Sequence, residues 1–350
     1  MKTVNGIWQQ VIDFDKLYAA YLRAAKGKRF SLESMKFKTN LEENLIQIQN
    51  ELIWKMYKPL PLRVFTIYEP KERTISAPAF RDRVVHHSLV AAIEPAFERR
   101  FISDTYACRK GRGTHCSMLR MVEFTRRAKR EWGDYWVLKC DVKKFFPSIN
   151  HIILKNTIRR AISDKEVLHL IDTIIDSAGE NGLGIPIGAL TSQLFANIFL
   201  DPLDHYVKET LSIKYYARYM DDFIVLGKSK EELREILQKI TAFLANDRGL
   251  VLNHRTGIWP GRHGIDFCGY RIWPTHTLPR KRTVQAAKKR LKSISKRYPA
   301  RESFEEARKI LVSFLGYIRF CSGAKITESV LKRAAYCPKG DKNDRTFRDH

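Results

Sequence analysis

The chain has 350 residues, 44% of them hydrophobic, which is enough for a large multi-lobed protein with a buried core and too apolar for disorder to be the default. Its 63 Lys and Arg against 38 Asp and Glu leave a net charge of +25, which points to a polyanionic partner, nucleic acid before an anionic membrane. No apolar run approaches the ~18–20 residues that span a bilayer, and Met1-Lys2-Thr3-Val4-Asn5-Gly6 opens no signal-peptide core, so a soluble, cytoplasmic protein without a membrane partner is expected.

Asn40 followed by Glu43 reads as a helix-start capping pair, with Leu41, Leu45, Ile48 and Leu52 at helical spacing behind it. Pro59-Leu60-Pro61 ends that helix. Val64-Phe65-Thr66-Ile67-Tyr68 then alternates as a strand, and Glu69-Pro70-Lys71-Glu72 turns it into a hairpin. Between 83 and 97, Val84, Val85, Leu89, Val90 and Ile93 form the apolar face of a helix. His86-His87 inside it point to different faces and do not read as a metal site. Trp136-Val137-Leu138-Lys139-Cys140-Asp141 reads as a buried strand ending in an acid. Gly184 and Gly188 flank a turn into a helix that begins near Thr191 and carries Leu194, Ile198 and Leu203 inward. Apolar runs around Tyr215-Tyr216 and at Phe223-Ile224-Val225-Leu226 bracket Tyr219-Met220-Asp221-Asp222, a hairpin with two carboxylates at its tip. Six cysteines without C-x-x-C spacing read as reduced packing residues. No acid occurs between Asp266 and Glu302, while Arg280, Lys281, Arg282, Lys288, Lys289, Arg290, Lys292, Lys296 and Arg297 accumulate. Leu291, Ile294 and Tyr298 keep a helical stripe there, so this is a folded helix with a phosphate-tracking face.

An adjacent Asp pair is most often a solvated turn. Asp141 changes the reading, because a third carboxylate at the end of a separate strand allows hard oxygen donors to share a divalent cation with phosphate. Asp141 followed five residues later by Phe146, then Gly184-Ile185-Pro186-Ile187-Gly188 opening a helix, then Tyr219-Met220-Asp221-Asp222, resembles motifs A, B and C of reverse transcriptases. Lys71-Glu72-Arg73 through Pro78 with Arg81–Val85 resembles the fingers-to-palm segment of group II intron-type enzymes, Phe101–His115 the segment after it, and Phe267-Cys268-Gly269-Tyr270 the primer-grip turn. Ile187 stands where most relatives carry Gln, and Gln193 where they carry Pro. Those departures resemble the reverse transcriptases of diversity-generating retroelements, as does Ser313-Phe314-Leu315-Gly316-Tyr317 in the thumb region. That family copies a template RNA into cDNA with errors at adenines, and the cDNA diversifies a target gene.

The resemblance implies an α+β right-hand polymerase: N-terminal helices and fingers over 1–77, a palm of antiparallel sheet on helices with remaining fingers insertions over 78–275, and a basic helical thumb over 276–350. The implied activity is RNA-directed DNA polymerisation with two Mg2+ ions, for which Mn2+ is a substitute. Asp141 and Asp221 would bridge both ions, Asp222 would hold or tune the primer-side ion, and Val142 would add a ligand. The incoming dNTP would meet Lys71 and Arg73 of the fingers, the backbone at Lys144 and Phe145, Phe146 beneath the sugar, and Ile187, Gly188 and Gln193. Arg255 stands where relatives often carry Lys and stays protonated, which argues against general-acid use. The implied partners are template RNA, the RNA/cDNA duplex on Arg280, Lys281, Arg282, Lys288, Lys289, Arg290 and Lys292, and a small basic accessory protein, with oligomeric state left open. A bacterial or phage origin is implied, and an RNase H or endonuclease domain is not expected in this chain. The alternatives are a retron or phage-defence reverse transcriptase and a non-catalytic RNA-binding protein on a polymerase fold, the latter opposed by the three intact acids.

Overall fold

The computed structural model describes residues 3–68, 72–297 and 300–334; Lys71, Tyr298 and Cys337 lie outside them. Helices α1 (Trp8–Ile12), α2 (Phe14–Ala25), α3 (Leu32–Thr39) and α4 (Leu41–Ile53) gather around the long helix α5 (Phe80–Glu98). Asp13 caps α2 by accepting from the Lys16 amide at 3.0 Å, which satisfies one of the first-turn donors that a helix leaves unpaired. α4 starts where the sequence places it and buries Leu45, Ile48 and Leu52, but the expected Asn40 cap is absent: its side chain makes no cap hydrogen bond. The Asn40 backbone, at φ −121° and ψ 57°, is outside the extended geometry that turns a cap side chain onto the first helical amides.

The Pro-rich approach to the hairpin is held by Asp82 of α5, whose carboxylate accepts from Tyr57 Oη at 3.0 Å and from the Leu60 amide at 2.9 Å. Strands β1 (Arg63–Ile67) and β2 (Arg73–Ala77) then pair antiparallel from Arg63↔Ala77 to Ile67↔Arg73. All five residues of β1 are exposed, so its alternation marks a strand with no buried face.

The remaining elements are α6 (Thr114–Trp132), β3 (Trp136–Asp141), α7 (His151–Arg159), α8 (Lys165–Asp176), α9 (Leu190–His205), β4 (Tyr216–Tyr219), β5 (Asp222–Gly227), α10 (Lys230–Phe243), β6 (Gly257–Pro260), β7 (Ile265–Phe267), β8 (Tyr270–Ile272), β9 (Thr277–Pro279), α11 (Lys281–Arg297), α12 (Ala300–Ile318) and α13 (Ala324–Ala334). The fold is therefore α+β. Its sheets are the β1–β2 hairpin, a four-stranded sheet in the order β4-β5-β3-β6, and a small antiparallel sheet β7-β8-β9. α5 and α9 pack on each other, and Val84, Val85, Leu89, Ile93, Ile198 and Leu203 are buried as their apolar spacing requires.

The chain divides into two compact units, one of Met1–Gly113 with Leu138–Ile258, the other of Thr114–Val137 with Trp259–His350. In the second, Ala287 and Leu291 of α11, Phe314 and Ile318 of α12 and Val330 of α13 form one core. Its β7–β8 turn is tight: Phe267 pairs with Tyr270 across Cys268 and Gly269, both at positive φ. No helix among the described residues is long and apolar enough to cross a membrane.

Candidate active site

Asp141 is the last residue of β3, and Asp222 the first of β5. Met220 and Asp221 make the two-residue turn beyond the last β4–β5 pair, Tyr219↔Asp222. The end of β3 is fastened on both sides: the Val142 amide donates to the Asp221 carbonyl at 3.3 Å, the Lys143 amide to Val251 at 2.9 Å, and the Asn253 amide to the Asp141 carbonyl at 2.7 Å. Met220 has φ +61°, a left-handed conformation that costs a non-glycine residue about 1–3 kcal/mol and persists only where its surroundings over-determine it.

The residue that reaches the Met220 carbonyl is Arg218, fully buried in β4. Its Nη1 donates to the Met220 carbonyl at 2.9 Å, while Nε and Nη2 form a fork onto Asp204 at 2.7 and 2.6 Å. Breaking such a buried pair from one side costs about 3–5 kcal/mol.

Electrostatics concentrates at the tip. Burial raises the pKa of Asp221, the neighbouring Asp141 raises it further, and Arg73 and Arg218 oppose the rise. Burial pushes Asp222 up to about 6 against the pull of Lys139, whose Nζ lies 2.9 Å from Asp222 Oδ2. Asp222 Oδ1 is buried without a hydrogen-bond partner among the described residues. Two carboxylates repelling each other in a partly desolvated site, with a third oxygen unsatisfied beside them, fit a hard divalent cation, and oxygen donors are what Mg2+ and Mn2+ take. Among the described residues no three His, Cys, Asp or Glu side chains could hold an ion unaided, so water or substrate oxygens would complete the shell.

The turn before α9 is built onto the fingers strand. The Ser76 amide donates to the Ile187 carbonyl at 2.8 Å, and Gly188 has φ +124°. A Cβ at Gly188 would approach Ile75 Cγ2 to 2.9 Å, so both conformation and space require glycine there. The Ile187 side chain is half-buried and Gln193 is exposed. After β3, Lys144 is left-handed at φ +47° and Phe145 right-handed at φ −49°. That alternation turns successive amides to one side as an anion nest, and among the described residues neither amide is used in a backbone hydrogen bond. Phe145 is buried against Phe199, whereas Phe146, edge-on to it at 5.6 Å, keeps part of its ring open; Val142 is buried.

Arg73 is exposed at the start of β2, close enough to bear on Asp221; Lys71 lies outside the described residues. Arg255 is exposed, its amide bonded to Asn253 Oδ1 at 3.2 Å. In the second unit, Lys281, Arg282, Lys289, Arg290 and Lys292 are exposed along α11. Arg280 is instead paired with Asp266, and Lys288 donates to Ser329 Oγ. Sequence reasoning missed Arg218, Asp204 and Lys139. The available signal was a charged residue inside an otherwise apolar segment: Arg218 between Ala217 and Tyr219, Asp204 behind Leu203, and Lys139 between Leu138 and Cys140.

Carboxylates from a strand end and a hairpin tip thus meet at one edge of a mixed helix-and-strand fold, a setting suited to divalent-cation chemistry on phosphates. The family model for reverse transcriptase (RNA-dependent DNA polymerase) matches residues 68–272, and the chain belongs to that family. Among similar proteins, Protein YkfC of Escherichia coli (strain K12) is 29% identical over 64% of this chain and 70% of its own length. Group II intron-encoded protein LtrA of Lactococcus lactis subsp. cremoris is 26% identical over 60% of this chain; the match spans only 36% of LtrA. A telomerase from Candida albicans superposes with a TM-score of 0.48 at 12% identity, over 80% of this chain and 58% of that one.

Proposed function

We propose that this chain copies a template RNA into cDNA, and that it is an error-prone reverse transcriptase of the diversity-generating retroelement type. The observation that carries the polymerase reading is the apposition of Asp141 and Asp221, linked through the Val142 amide on the Asp221 carbonyl and repelling each other in a half-buried site. Asp141 and Asp221 would hold the cations, with Asp222 beside them. When bound, two such ions lower the pKa of the attacking hydroxyl and stabilise the leaving oxygens. The chain's own groups would do the rest. Arg73 supplies positive charge to the triphosphate, the Lys144–Phe145 nest accepts phosphate oxygens, and Phe146 closes the space that a 2′-hydroxyl needs. The exposed cations of α11 would track the template–primer duplex. The description of the matching family, RNA-dependent DNA polymerase, supports RNA as the template class.

The finer reading rests on Ile187 and Gln193. The Ile187 carbonyl is taken by Ser76, so what distinguishes Ile from Gln here is side-chain chemistry. An apolar branched side chain cannot make the hydrogen bonds that an amide offers near the incoming nucleotide, and each ~1.4 kcal/mol is tenfold in discrimination. The expected outcome is frequent misincorporation opposite template adenine, reduced by Ile187→Gln or Ile187→Arg. Sequencing cDNA made on a defined RNA template measures it. Equal or higher error in both variants would remove Ile187 as the cause.

A further inference from the structure

Behind the Tyr-Met-Asp-Asp hairpin lies a buried polar cluster. Asp204, fully buried on α9, accepts four hydrogen bonds: two from the Arg218 guanidinium, one from Tyr216 Oη at 2.6 Å on Oδ1, and one from Thr105 Oγ1 at 2.6 Å on Oδ2. Asn197, two turns earlier on the same helix, accepts from Arg218 Nη1 at 3.2 Å and is itself tied by Nδ2 to the Ala107 carbonyl at 2.7 Å. The backbone closes the same loop: the Arg218 amide donates to Asp104 at 2.9 Å, and the Tyr106 amide to Arg218 at 3.1 Å. Every Arg218 nitrogen is thus held, and one direction of the fork is left for the Met220 carbonyl. That carbonyl belongs to the peptide joining Met220 to Asp221, so its direction fixes the plane from which the Asp221 side chain departs.

We propose that Arg218, locked by Asp204, is the positioning residue of the catalytic turn: it holds the Met220–Asp221 peptide in the left-handed geometry that aims the Asp221 carboxylate at Asp141, and so sets the affinity of the pair for a divalent cation. The claim rests on Asp141 and Asp221 being the cation-binding pair. It differs from a mere stability role because lysine retains the charge and most of the volume of Arg218 but cannot hold Asp204 and Met220 at once. Thr105 extends the same device at a distance: its hydroxyl holds the Asp204 oxygen that receives Nη2, away from the Met220–Asp221 turn in sequence.

The test reads cation binding separately from turnover. Mn2+ binding to the full chain with a non-hydrolysable dNTP is followed by electron paramagnetic resonance, beside primer-extension kcat and dNTP KM. Arg218→Lys is expected to weaken Mn2+ binding about tenfold and to lower kcat with KM nearly unchanged, the loss of one or two charge-assisted bonds. Thr105→Val is expected to move both in the same direction by about threefold, and Thr105→Ser to restore them. Asp221→Asn, as reference, abolishes Mn2+ binding. If Asp221→Asn leaves Mn2+ binding intact, the underlying site reading fails. If Asp221→Asn abolishes it while Arg218→Lys binds as wild type, the positioning role is overturned. Should Arg218→Lys not fold, Thr105→Val decides alone: wild-type Mn2+ affinity in that variant overturns the proposal.

Discussion

Replacing Lys139 with methionine isolates how the second carboxylate of the hairpin is held. Lys139 Nζ sits 2.9 Å from Asp222 Oδ2, and both side chains are about three-quarters buried, at 20% and 25% exposure. At that distance the Coulomb attraction is about 6 kcal/mol for an effective dielectric near 20. Residual solvent and the cost of desolvating both ions reduce the net contribution to about 1.5–3 kcal/mol. Methionine keeps the aliphatic stem and removes only the charge. Burial already pushes Asp222 up to about 6, and without Lys139 nothing comparable pulls it back, while Asp141 and Asp221 push the same way. A loss of that size moves the acid limb of the primer-extension pH profile upward by roughly one to two pH units. Stability follows the same sign. A carboxyl whose folded-state pKa lies above the unfolded value favours the folded state below the unfolded value and loses that advantage as pH rises through the folded one. The stability deficit of Lys139→Met against wild type therefore shrinks on acidification. Thermal denaturation from pH 5 to 8.5 and primer extension over the same range measure both effects. An unmoved acid limb, or a deficit that grows as pH falls, would mean that Lys139 does not hold Asp222 in its charged form.

Phe146→Ala should raise ribonucleotide incorporation, because the half-buried ring of Phe146, unlike the buried Phe145, is free to wall the sugar pocket; an unchanged preference for deoxynucleotides would assign Phe146 to packing. Neutralising the exposed Arg282, Lys289, Arg290 and Lys292 together should weaken template–primer binding alike across sequences and flatten the dependence of log affinity on log salt by about 3–4. Unchanged affinity and slope would make that face a solubilising surface.

Elements whose signals are local could be read from the sequence, and contacts between distant residues could not. The helix through Val84, Val85, Leu89 and Ile93, the strand ending at Asp141 and the hairpin carrying Asp221 and Asp222 all follow from apolar periodicity and turn chemistry within about twenty residues. Lys139 and Arg218 could not be read that way. Each is a charge in a buried strand whose partner lies elsewhere, Asp222 for one and Asp204 for the other, and periodicity carries no information about which acid will face which base. Asn40 shows the same limit in small form, since the residue type permits a cap that the backbone angles do not make. In the basic stretch, composition marked everything from Arg280 to Arg297 as one face, yet Lys288 turns to Ser329 and Arg280, just before α11, to Asp266.

Asp221 is the residue on which the chemistry of the palm site turns. Asp221→Asn removes one negative charge from the cation pair and leaves the turn's backbone bonds and the basic face of α11 untouched. Losing about 3–4 kcal/mol of charge stabilisation is roughly a 200- to 1,000-fold fall in primer extension on an RNA template. RNA affinity measured on the same preparation should stay within about twofold of wild type, since phosphate contacts supply it. Near-normal extension by Asp221→Asn would contradict the assignment of the palm site.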